Sequence, residues 1–256
     1  MERKVIASIG TIDPRNVGGV GRDLTIIAQH HMRGVCAIAG VSAQDEGGVR
    51  ALHAVPRILF EQELSVLPDA SAYRVGALAG AENVSSAATF LQNRRGWIVI
   101  DPVMRATRGG SLYADEAAAL HALREQLCVL PAILTPNLDE AAALSGIAVS
   151  DVHSMERAGL VLCKRGARAV IVKGGHLDAH PVDVLCTAQS CVRFQRERID
   201  ASCGGKGCAF AATLACALAS GAPLNEAVAC AGDFVRGMLR EAQGQPPAEV
   251  QSAPFA

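Results

Sequence analysis

Short apolar runs, each ended by glycine, proline or a polar cluster, alternate along this chain with longer segments whose apolar residues recur every three to four positions. The first pattern predicts buried strands and the second predicts amphipathic helices. Residues 4–9 (KVIASI), 35–41 (VCAIAGV), 73–78, 97–100 (WIVI), 132–135 and 169–173 (AVIVK) read as strands. Residues 22–31, 55–67, 83–94, 115–126, 138–145, 154–165, 208–220 and 224–241 read as helices. Pro56 suits a first helical turn, and Gly146 stops the helix before it. Residues 183–187 and 191–195 read as a hairpin. Strands alternating with helices predict an α/β fold with a mainly parallel sheet and right-handed crossovers. Ligands in such sheets bind beyond the carboxyl ends of the strands. Asp101, Asn137, Lys173-Gly174-Gly175 and the loop 204–207 all follow candidate strands or precede a helix, so they are expected on one rim.

Composition narrows the class. Half of the 256 residues are hydrophobic and only 19% are charged, which excludes a disordered chain. Aromatics are 4%, so Ala, Val, Leu and Ile must fill the core, as in helices packed on a buried parallel sheet. The length suits one large α/β domain over residues 1–242, with the proline-containing segment 243–256 read as a loosely ordered tail. Net charge is -1, from 24 basic and 25 acidic residues, and no basic stripe argues for nucleic acid. No apolar run reaches the length of a membrane span, and the N-terminus lacks the apolar core of a signal peptide. The nine cysteines include no C-x-x-C pair and mostly sit in apolar runs. They are read as small core residues of a reduced, cytoplasmic protein without structural zinc.

The strongest local signal is CGGKGCAFAATLACALASG, residues 203–221. Three glycines in four positions precede a helix of small residues. Backbone amides of such a loop can converge, and the helix N-terminus adds partial positive charge, so the segment is a candidate anion hole. It is not a Walker A loop, because Gly-Cys follows the lysine. The alternative is a tight turn before a closely packed helix. Lys173 ends a strand ahead of Gly174-Gly175 and is a candidate phosphate contact, or simply a charge closing a strand. Asp101 follows WIVI, and Asn137 and Glu140 in TPNLDE share a helical face. Asp and Glu with an Asn carbonyl suit Mg²⁺ held largely through water beside nucleotide phosphates. Asn137 and the acids after it equally suit a helix start.

These pieces together resemble the ribokinase-like superfamily, and within it the hydroxymethylpyrimidine/phosphomethylpyrimidine kinases of thiamine synthesis. The resemblance runs from about Val5 to Leu239 and rests on DPRNVGGVGRDL, SAQDEGGV, VGALAG, DPVMRATRGGSL, TPNLDEAAALSG, VKGGHL and GGKGCAFAATLACALASG. It implies a three-layer αβα sandwich without a lid domain and a homodimer. The implied reaction is ATP- and Mg²⁺-dependent phosphorylation of 4-amino-5-hydroxymethyl-2-methylpyrimidine, then of its monophosphate. It also implies roles: Asp23 and Gln44 on the aminopyrimidine, Val103 against the ring, and Lys173, Gly174, Gly175 and Asn137 with the nucleotide. Asp101 and Glu140 hold the metal indirectly. Gly205, Lys206 and Gly207 supply the anion hole, and Cys208 stands where related sugar kinases carry an aspartate base. A thiol near a helix N-terminus is expected to have a lowered pKa, and so to serve as a thiolate base.

The chain departs from that pattern mainly around the acceptor. Lys206 replaces the usual threonine of the Gly-Thr-Gly-Cys loop, and Gly204 the usual histidine. Thr11 stands for a pyrimidine-contacting glycine, Ala77 for a methionine, and Asp45-Glu46 for Asn-Thr. Kinase chemistry is therefore better supported than the identity of the acceptor. A kinase for pyridoxal or a related heterocycle, and a non-catalytic pyrimidine or nucleotide binder, are the alternatives.

Overall fold

The computed structural model describes residues 3–175, 181–201 and 203–244. The segment beyond Gly244, most of the expected tail, and His176 of VKGGHL lie outside them. Nine strands form one sheet in the order β3-β2-β1-β4-β5-β6-β7-β8-β9. They are β1 Val5–Ile12, β2 Arg33–Asp45, β3 Gly48–Ala54, β4 Ala72–Val75, β5 Trp97–Ile100, β6 Ile133–Leu134, β7 Ala169–Val172, β8 Val182–Cys186 and β9 Cys191–Gln195. Pairing is parallel from β2 through β1, β4, β5 and β6 to β7, and antiparallel at β3, β8 and β9.

Helices cover both faces, in the three-layer arrangement expected. One face carries α2 Arg57–Ser65, α3 Ala81–Leu91, α4 Glu116–Ala122, α5 Leu138–Ser145 and α6 Val152–Lys164. The other carries α1 Gly19–Gln29, α7 Lys206–Ser220 and α8 Leu224–Ala242. Strand alternation sorts the core between them. Ala7, Tyr73, Val75, Ile100 and Val172 pack toward α2–α6, and Ile6, Ala72, Val99, Ile133 and Ile171 toward α1, α7 and α8. Helix α7 is buried nearly all round, which is why its residues are almost all Ala, Cys, Leu and Phe.

Three features differ from the sequence reading. Strand β3 was not anticipated: Glu46-Gly47 turns an extended β2 back on itself, and Gly48–Ala54 pairs antiparallel with it at the edge of the sheet, mostly exposed or half-buried. The end of α4 widens into a π-turn over Leu123–Leu127. Cys186 and Cys191, read as core filler in a reduced protein, face each other across the β8–β9 hairpin and form a disulfide. Antiparallel pairing puts their side chains on the same side of the ladder at the closest cross-strand separation. Sequence spacing alone does not reveal that contact.

Candidate active site

Alternation places one polar residue from each of five adjacent strands, or from just past its end, on the α1/α7 face. Ser8 on β1 is level with Arg74 on β4. Two residues beyond Val99 comes Asp101, two beyond Ile133 comes Thr135, and two beyond Ile171 comes Lys173. All but Lys173 are fully buried. An isolated charge there would cost several kcal/mol, so each is matched. Asp23 from α1 accepts from Ser8 Oγ (2.6 Å) and pairs with Arg74 Nη1 (3.0 Å). Arg74 Nη2 reaches Asp101 Oδ2 (3.1 Å). The other oxygen of Asp101 accepts from Lys173 Nζ (2.8 Å) and Thr135 Oγ1 (3.2 Å). The result is an alternating line, Asp23, Arg74, Asp101, Lys173, running beneath the amino end of α7.

That helix end is built without a side-chain cap. Gly205 is its N-cap with φ 74°, and a Cβ there would lie 2.0 Å from the carbonyl oxygen of Val17, so glycine is required. Gly204 packs on the Val17 side chain in the same way. The amides of Lys206, Gly207 and Cys208 lie in the first turn of α7, where no intrahelical acceptor reaches them. Gly207 lies over the ion line: a Cβ on it would be 3.2 Å from Lys173 Nζ and 3.5 Å from Asp101 Oδ2. Free amides, a helix N-terminus and an ammonium thus converge on one spot, which suits an anion with several oxygens.

The remaining candidates are placed as follows. Asn137 and Glu140 form a capping box at the start of α5, with Glu140 N–H donating to Asn137 Oδ1 (2.8 Å) and Asn137 N–H to Glu140 Oε2 (2.9 Å). The helix-start reading therefore holds, and the same turn lies beside the rim, because Lys173 N–H donates to Pro136 O. The amide of Gly174 donates to Asp183 on β8, and a Cβ at Gly175 would meet nothing among the described residues. Gln44 donates to Ser42 on β2, and Val103 leans toward the α2–α6 layer. Asp23 has no exposed surface, unlike an open substrate contact, although its Oδ1 has no hydrogen-bond partner among the described residues. Asp45 pairs with Arg50, and Glu46 with Arg15 and Arg108, tying the β2–β3 turn to two neighbouring loops.

Protonation follows burial and partners. Lys173 stays charged, its pKa raised because Asp101 and Glu140 outweigh burial. Asp101 is held below its usual range: Lys173 and Arg74 overcome the burial penalty. Burial lifts Asp23 to about 6 despite Arg74, and lifts Glu140 to about 7 despite Lys173. Cys208 corrects the expectation of a ready thiolate. Burial pushes its thiol up, with Asp23 and Asp101 adding to the effect, and Arg74 together with the Gly19 amide only partly offsets this.

Among the described residues no three His, Cys, Asp or Glu side chains gather into a metal cage. Asp101 and Glu140 are already engaged by Lys173, Arg74, Thr135 and Asn137. They fit a hydrated Mg²⁺ arriving with a triphosphate, held through its water shell, and do not fit a directly ligated ion.

Sequence reasoning missed Arg74, the centre of the line, together with Ser8 and Thr135. The signal was present in AYRVGALAG: an arginine inside an apolar strand, with Gly76 two residues on. A Cβ at Gly76 would lie 2.2 Å from Arg74 Nη1, so that glycine makes room for the guanidinium.

A doubly covered, mainly parallel sheet whose strand ends set a lysine beside a glycine-opened helix N-terminus fits a small-molecule kinase of the ribokinase-like class. Comparison with known proteins narrows the class. Residues 13–249 match the family model described as phosphomethylpyrimidine kinase, and the chain belongs to that family. It is 34% identical over 248 residues to a hydroxymethylpyrimidine/phosphomethylpyrimidine kinase of Haemophilus influenzae, covering 91% of this chain and 89% of that one. It is 35% identical over 247 residues to a thiamine biosynthesis bifunctional protein of Geobacter sulfurreducens; the match takes in 94% of this chain but only half of that protein's length. Among solved structures it is similar to a pyridoxal kinase of Staphylococcus aureus in complex with AMP-PCP and pyridoxal, with TM-score 0.83, 26% identity and coverage of 94% and 89% of the two chains. Among the described residues no helix is long and apolar enough to cross a membrane.

Proposed function

We propose that this protein uses ATP to phosphorylate 4-amino-5-hydroxymethyl-2-methylpyrimidine and then its monophosphate, giving the diphosphate used in thiamine synthesis. The observation that carries this reading is the amino end of α7, uncapped by any side chain, set against the Lys173–Asp101 pair. Phosphoryl transfer needs positioning and charge neutralisation more than covalent chemistry. The amides of Gly205, Lys206 and Gly207 face the transferring group, Lys173 adds a fixed cation, and Asp101 holds that lysine in place. Lys206 is the first residue of α7 and has no carboxylate partner among the described residues. Its ammonium is therefore free to meet a phosphate. Mg²⁺ carried by the triphosphate would neutralise its charge, with Asp101 and Glu140 holding the ion's waters.

The raised Cys208 pKa separates the two transfers. A hydroxymethyl acceptor must lose its proton, and a thiol held up by burial is a poor base near pH 7. A phosphate acceptor is already largely ionised there, since its second pKa is about 6. The site is thus better matched at neutral pH to the second transfer than to the first. Incubating the protein with ATP and hydroxymethylpyrimidine, and separately with the monophosphate, tests this: mono- and diphosphate are expected, with the second step faster. A pyridoxal-type acceptor is the second reading, favoured by the close match to a pyridoxal kinase and by the pocket changes Thr11 and Ala77. Turnover of pyridoxal with none of the pyrimidine would replace the first reading with the second. Nucleotide binding without turnover of any acceptor would leave a non-catalytic binder.

A further inference from the structure

Arg74 has no place in the sequence-derived site, yet it is the only described residue that touches both carboxylates of the ion line. Its surroundings make a purely structural account incomplete. The position is a core position of a parallel strand, between Ala72 and Gly76 on the α1/α7 face, where an apolar side chain would pack without any ion pair. The chain instead places a fully buried arginine there and clears space for it with Gly76. The two terminal nitrogens are divided: Nη1 stands in ion-pair contact with Asp23 on α1 without a hydrogen bond, and Nη2 donates to Asp101 beyond β5. By occupying Asp101 Oδ2, the guanidinium leaves Oδ1 as the oxygen that faces Lys173 and Thr135. The lysine ammonium is thereby fixed 3.2 Å from where a Cβ of Gly207 would stand, at the mouth of the α7 amides.

We propose that Arg74 is a positioning residue for phosphoryl transfer: it orients Asp101 so that Lys173 is aimed at the terminal phosphate at the amino end of α7. This rests on the kinase reading only in that a nucleotide must bind at that helix end; it does not depend on the acceptor. A lysine at position 74 keeps the charge but cannot place two fixed nitrogens on two carboxylates. The two functions, neutralising and orienting, are therefore separable.

The test is calorimetric binding of ADP and of a non-hydrolysable ATP analogue to the wild type, Arg74→Lys, Lys173→Met and the double variant. If Arg74 acts through Lys173, Arg74→Lys lowers the preference for the triphosphate about tenfold while ADP affinity moves less than about threefold. In the Lys173→Met background the same change then does nothing further, because a shared interaction is not lost twice. With a working acceptor, kcat falls by a similar factor at nearly constant KM. Equal loss of ADP and ATP-analogue affinity, or an undiminished effect of Arg74→Lys without Lys173, overturns the proposal. So does an unchanged preference for the triphosphate. Should Arg74→Lys fail to fold, the Arg74→Met/Asp23→Asn pair, which keeps the buried line neutral, is measured in the same way. Failure of the pyrimidine assay alone would refute the assigned acceptor and leave this binding cycle intact.

Discussion

Replacing Gly207 by alanine separates stability from chemistry at the centre of the site. Gly207 is the second residue of α7, and its φ lies outside the left-handed region, so alanine adopts its backbone without strain. Such a change restricts the unfolded chain and stabilises by about 0.4–1 kcal/mol. For a chain of this size that raises Tm by roughly 1–4 °C. The new methyl, however, stands 3.2 Å from Lys173 Nζ and 3.5 Å from Asp101 Oδ2. The ammonium gives way by a few tenths of an ångström while keeping its pair with Asp101, so folding tolerates the contact. The transferring phosphate has less freedom, because it must touch both the ammonium and the amides beside the methyl. Misplacement by about 1 Å can cost 10²-fold in rate, and about half of that displacement gives roughly a tenfold loss in kcat. Steady-state kinetics by coupled ADP release, beside a thermal melt, reads both quantities. Wild-type kcat with a raised Tm would show that phosphate does not pass over Gly207, and would refute this placement of the anion site.

Asp101→Asn leaves Arg74 and Lys173 without their shared anion; breaking a buried pair in this way costs about 3–5 kcal/mol, measured as a lower midpoint of urea unfolding, together with loss of turnover. Glu140 is raised from 4.5 to about 7, so the folded state binds a proton that the unfolded state releases between those values. Its contribution to stability is full below about pH 4.5 and is lost as pH rises through 7. Glu140→Gln keeps the capping box and removes that loss, so relative to wild type it gains on the order of 1–3 kcal/mol between pH 4.5 and 7.5, read by denaturant titration at the two pH values. Because burial holds the Cys208 thiol above its ordinary value, turnover of the hydroxymethyl acceptor keeps climbing through the alkaline range, while turnover of the monophosphate stays nearly flat there. Cys208→Ala should abolish the climb and spare most of the second transfer.

The alternation of apolar runs with helical spacing was enough to place eight helices, all but one of the strands and the parallel character of the sheet, because burial on both faces writes itself into a strand as an unbroken apolar run. Edge strand β3, mostly exposed or half-buried, carries no such run. The glycine loop, Lys173, Asp101 and TPNLDE were legible because backbone geometry and helix capping are local demands, satisfied within a few residues. What the chain could not display is which charge neutralises which. Arg74, Asp23, Asp101 and Lys173 lie far apart in sequence, and only the register of β4, β5, β6 and β7 together with the packing of α1 sets them in a line. The protonation of Cys208 is likewise a sum over neighbours. A helix N-terminus read by itself lowers a thiol's pKa, whereas the assembled site buries that thiol beside two carboxylates and raises it. Local sequence thus determined the elements and the candidate phosphate-binding devices; the electrostatic balance that joins them was decided by tertiary packing, since desolvation and Coulomb energies depend on distances that only the folded chain defines.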